Sequence, residues 1–171
     1  KDKTITGMGL QLNKNHDKVP SEIALFKNLS RIVIYLDNTD FVPPDVKFSN
    51  IKGLNIAITP NAEKDKFLIK NLGCFPCLQG LDIVNDVIYQ GEYLFDHEKK
   101  MSIAKIGKSI PKVEVSDDVG KLTRLEGFGV SYCALKKLPE SICDLKMLMH
   151  ISVKGCSLNK IPERLLELNT L

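Results

Sequence analysis

The sequence predicts an α/β solenoid, with a curved parallel β-sheet on its concave face and irregular or short helical returns on its convex face. Three observations carry this. Near the C-terminus two consecutive stretches repeat with an offset of 23 residues. Within each stretch apolar residues first alternate and then recur at intervals of three, so a strand is followed by a return. The core is aliphatic: the chain has 22 Leu and 16 Ile but only 6% aromatics and no Trp, a bias that suits one short packing unit stacked many times.

The best-preserved copies define the elements. Leu125, Phe128, Val130, Cys133, Leu135, Leu138, Pro139, Ile142 and Leu145 are followed, each 23 residues on, by Leu148, Ile151, Val153, Cys156, Leu158, Ile161, Pro162, Leu165 and Leu168. Alternation places the two aliphatics of a Leu-x-Leu run on one face of a strand and the intervening residues on the other. The ninth residue turns the chain, and its side chain is expected to cap backbone groups at the bend. Proline then opens the return. This pattern resembles the leucine-rich repeat, which implies a horseshoe-shaped solenoid.

The same phase runs upstream. Pro20, Ile23, Phe26, Leu29, Ile32, Ile34 and Asp37 form one copy; Pro43, Val46, Ile51, Leu54, Ile56 and Thr59 the next; Leu78, Leu81, Ile83, Asp86 and Ile88 another. Leu10, Leu12, Asn15 and Val19 end an opening copy, and one irregular copy is placed on Met101-Ser102-Ile103, within residues 89–119 where the register is poor. The count is about seven copies in a single domain over 1–171. Asn61 is expected to cap a longer convex-side helix over residues 62–72, with Gly73 ending it. Both ends of the chain fall inside a copy, so a longer array is expected.

The outward strand positions of such an array form its contact face. They include Arg31, Val33, Tyr35 and Leu36; Asn55, Ala57 and Ile58; Asp82, Val84 and Asn85; Ser131 and Tyr132; His150 and Lys154. Val33, Tyr35, Leu36, Ala57, Ile58 and Val84 make that face unusually apolar, and apolar surface marks contacts. The expected partner is a protein.

Other chemistry finds little support. A net charge of +3 argues for neither nucleic acid nor an anionic membrane. No stretch approaches the roughly 20 apolar residues that span a bilayer. Cys74-Phe75-Pro76-Cys77 resembles a redox pair, but Phe75 and Leu78 fall at packing positions, which favours structural thiols. His16, His97 and His150 are too scattered for a metal set, so no metal and no cofactor is expected. Gly7-Met8-Gly9 lacks the rest of a dinucleotide fingerprint, and no nucleophile has a His beside it in sequence. Catalysis is not expected. Five Cys, an odd number, with no apolar leader, predict free thiols and a cytoplasmic setting, Cys133 and Cys156 included, although these two would stack about one strand spacing apart.

Leu135-Lys-Lys-Leu-Pro-Glu-Ser-Ile142, continuing to Leu148 and then to Ile-Ser-Val-Lys-Gly-Cys-Ser-Leu over 151–158, resembles the repeats of plant intracellular nucleotide-binding leucine-rich-repeat immune receptors. The likeness is specific over 125–171. It implies the sensing region of such a receptor, recognising an effector or a host protein. The alternative is a structural or autoinhibitory segment, or a signalling scaffold, whose contact face packs on its own protein's other domains. The receptor's nucleotide-binding motifs are missing from this stretch, so its ATPase switch does not carry over.

Overall fold

The computed structural model describes residues 4–12, 18–36, 45–59, 66–86 and 110–171. These form two parallel sheets joined by single-turn 3₁₀ returns, an α/β-type arrangement. The larger sheet has six strands: β1 (Gly7–Leu12), β2 (Arg31–Leu36), β3 (Gly53–Ile58), β5 (Gly80–Asn85), β7 (Gly127–Ser131) and β9 (His150–Lys154), hydrogen-bonded in that order. The smaller sheet orders β4 (Lys66–Ile69), β6 (Lys112–Val115) and β8 (Ala134–Leu135).

Register follows the aliphatic columns. Ile32 pairs with Leu54, Leu54 with Leu81, Leu81 with Phe128 and Phe128 with Ile151. Ile34, Ile56, Ile83, Val130 and Val153 form the next column. Both point into the core, and most of their side chains are fully buried. Entry to each strand is pinned in the same way: one carbonyl accepts the two N–H groups that open the following strand. Ser30 O takes Lys52 N and Gly53 N, Lys52 O takes Gln79 N and Gly80 N, and Gln79 O takes Glu126 N and Gly127 N, all at 2.8–3.0 Å.

The returns explain the interval of three. In 3₁₀ geometry three residues make a turn, so residues i, i+3 and i+6 share one side, whereas an α-helix would need a mixed three-and-four spacing. Ile142 N bonds Pro139 O, Leu145 N bonds Ile142 O and Leu148 N bonds Leu145 O, and all three side chains are buried. The same chain of bonds runs through Leu72, Phe75 and Leu78 and through Val119, Leu122 and Leu125. Phe75 stacks on Phe48, with ring centroids 5.1 Å apart.

One expectation needs correction. The expected helix over 62–72 is not formed in its described part: residues 66–69 are strand β4, paired in parallel with β6. Phe67 and Ile69 alternate into the core, and Leu72 opens a 3₁₀ turn over Leu72–Cys74. The left-handed residue there is Asn71 (φ 59°), not Gly73. The second sheet itself was not foreseen; β4, β6 and β8 each lie in a connection between strands of the larger sheet, and β6 falls in the stretch of poor register. In the larger sheet β5 pairs directly with β7, giving six strands among the described residues. Asn61 and Met101-Ser102-Ile103 lie outside the described residues.

Candidate binding face

The outer face of the larger sheet carries every second strand residue. One row across it reads Gly9, Val33, Asn55, Asp82, Gly129 and Ser152, and the next reads Gln11, Tyr35, Ala57, Val84, Ser131 and Lys154. Arg31 and His150 occupy the row where the strands open. The structure therefore brings together Arg31, Val33, Tyr35, Asn55, Ala57, Asp82, Val84, Ser131, His150 and Lys154 on one surface, as the alternation predicted.

Leu36, Ile58 and Asn85 do not belong to it. Each extends its strand by one residue in phase with Ile34, Ile56 and Ile83, so it turns inward; their exposures are 0%, 0% and 2%. The equivalent residues of the last two copies behave differently, because Tyr132 (φ 56°) and Gly155 (φ 62°) are left-handed and end the strand one residue earlier. Ala57 and Val84 are on the outer face but already buried, flanked by Tyr35 and by their neighbours across the sheet.

Side chains lie flat where glycines leave room. Arg31 crosses Gly53, Tyr35 reaches toward Gly9, and the Asp82 carboxylate occupies the place a Cβ on Gly129 would take. Burial pushes the Asp82 carboxyl above the usual range, an effect partly offset by His150. The Oδ1 of Asn55, between Val33 and Asp82 in its row, is enclosed and has no hydrogen-bond partner among the described residues. At the end of the sheet the Lys154 ammonium sits 4.9 Å from the Tyr132 ring centroid, and that ring covers Gly155.

At the strand ends Cys133 and Cys156 bond backbone carbonyls as expected of ninth-position side chains, whereas Thr59 bonds the Asp86 side chain, and Asn15 and Asp37 lie outside the described residues. Cys133 Sγ lies 3.4 Å from Ser131 O, Cys156 Sγ lies 3.4 Å from Val130 O, and Thr59 Oγ1 donates to Asp86 at 3.2 Å. All five cysteines are free thiols. Burial pushes the Cys133 thiol up to about 12 and also raises Cys74, opposite to the shift a reactive thiol requires. No group of His, Cys, Asp and Glu among the described residues has the arrangement of a metal site. Among the same residues no helix is long and apolar enough to cross a membrane.

A second concavity went unnoticed in the sequence. A groove of about 880 Å³ runs along β4, β6 and β8 and the segments that follow β8, lined by lysines and a few aliphatic side chains. Its visible sequence trace was Lys136-Lys137, between the buried Leu135 and Leu138.

No family model matches the chain, and no curated protein matches it.

Proposed function

We propose that the chain is a leucine-rich-repeat solenoid acting as a protein-recognition module, the sensing region of an intracellular immune receptor, with its contact surface on the outer face of the six-stranded sheet. The observation that carries this reading is the apolar row Tyr35, Ala57 and Val84 with Val33 beside it, of which Tyr35 and Val33 stay half-exposed, on a face where a purely structural sheet needs only polar residues. Charged groups surround the row: Arg31 on one side, Asp82, His150 and Lys154 on the other. This is the composition of an interface with an apolar centre and a polar rim. The unpartnered Asn55 Oδ1 adds to it, since a buried acceptor left unpaired costs about 1–3 kcal/mol that a strand serving only the fold would avoid.

The alternative, a segment that packs on other domains of its own protein and restrains them, uses the same face. A single substitution separates the two. Tyr35→Ser removes the central aromatic without entering the core, because Ile32 and Ile34 supply the inward side of that strand. In the recognition reading it abolishes capture of the partner, while Lys146→Glu on an exposed return leaves capture intact. In the autoinhibitory reading, Tyr35→Ser in the full-length receptor releases constitutive signalling. A variant that binds and signals as wild type would refute both. Ile58→Ser is unsuited to this purpose, since Ile58 is in the core.

A further inference from the structure

We propose that the lysine-rich groove along β4, β6 and β8 is a second binding site, which takes an acidic segment of a protein in an extended conformation. The first argument is placement. Lys66 and Lys112 are directly paired across β4 and β6, and Lys137 and Lys160 across an isolated parallel bridge. Like charges set opposite one another on neighbouring strands oppose pairing, a cost that Glu114 offsets at Lys66 and that the Lys137–Lys160 pair retains. The second argument is compensation. Lys66 has an ion pair with Glu114 at 3.1 Å, whereas Lys136, Lys137 and Lys160 are exposed and have no carboxylate partner among the described residues. An anion laid along the groove supplies what these three lack.

The lining also selects the class of anion. It contains neither Arg nor any aromatic residue, so it offers no stacking platform for bases and no bidentate fork for phosphates. Val115 and Ala134 provide partly exposed apolar wall between the charges, whereas Val113, Leu138, Pro139 and Pro162 are buried. An extended peptide presents the acidic side chains of every second residue on one face, where the lysines spaced along the groove can meet them.

The test uses the whole chain and a fluorescent peptide of roughly ten residues alternating glutamate and valine, compared with an oligothymidylate of similar length. The wild type is expected to bind the peptide in preference to the oligonucleotide, with affinity falling as salt rises from about 20 mM to about 300 mM. The triple variant Lys136→Glu, Lys137→Glu, Lys160→Glu should bind it at least roughly tenfold more weakly. The neutral triple variant, with Gln at the same positions, should fall between and guards against a folding defect in the first. Tyr35→Ser on the other face should leave peptide affinity unchanged. The proposal is overturned by absence of binding at low salt, by equal affinity in the triple variants, by preference for the oligonucleotide, or by loss of peptide binding in Tyr35→Ser.

Discussion

Asp118 accepts three hydrogen bonds, one of which ties its return to the neighbouring one. Its carboxylate accepts from the backbone N–H of Asn71 at 3.0 Å, from Ser116 Oγ at 3.3 Å and from Lys121 Nζ at 2.7 Å. Lys121 and then the Asn71 N–H hold the carboxyl below the usual carboxylate range. Because the folded pKa lies below the unfolded one, the resulting stability is complete above about pH 4 and is lost as pH falls through the lower native value. Asp118→Ala should cost on the order of 1–2 kcal/mol at neutral pH, and the difference from wild type should shrink in denaturant melts at lower pH. Gly155 is a second sensitive position. It is left-handed and the Tyr132 ring lies 2.5 Å from where its Cβ would stand, so Gly155→Ala should destabilise by about 1 kcal/mol or more and displace the ring from Lys154. Cys133 belongs to the same scale. Thiol labelling of the native chain should reach it only as fast as the chain opens, whereas the unfolded chain should show all five thiols.

The returns obey one rule and differ in how well they are covered. Ile142 and Leu145 have exposures of 0% and 1%, while their counterparts 23 residues on, Leu165 and Leu168, are only half-buried. The same decline runs from Phe128 to Ile151 and from Leu138 to the exposed Ile161. An apolar side chain between two stacked returns is covered from both sides, and among the described residues the return over Glu163–Glu167 has a neighbour on one side. Leu145→Ala should therefore cost roughly 3 kcal/mol and Leu168→Ala about 1 kcal/mol, because truncation matters in proportion to the contacts already made. Equal costs for the two would contradict this account.

In the molecule as a whole, stability is shared along the order of the larger sheet. β3, β5 and β7 are hydrogen-bonded on both sides, and their inward residues are closed off. β1 and β9 are edges, with burial partial along most of their length. Native-state hydrogen exchange should be slowest in β3, β5 and β7 and fastest in β1 and β9. Uniform protection across all six strands would mean one cooperative unit rather than a sum over neighbours. The two surfaces should also separate: changes on the outer face at Tyr35 and in the groove at Lys137 should add without coupling.

The chain's own pattern determined the inward columns Ile32–Leu54–Leu81–Phe128 and the strand offsets between them, because strand alternation is a local property of adjacent residues. It determined that returns with apolar residues three apart follow the strands, while their 3₁₀ geometry came from the structure. The outer identity of Arg31, Val33, Tyr35, Asn55 and Asp82 followed from the same alternation. What the tertiary structure decided depends on partners distant in sequence. Residues 66–69 are a strand because β6 lies beside them, although their own residues suit a helix as well. Leu36, Ile58 and Asn85 face inward because their strands run one residue longer than those ending before Tyr132 and Gly155, a difference made by two left-handed residues rather than by hydropathy. The lysine groove exists only where β4, β6 and β8 meet, and no single segment of the sequence contains more than part of it.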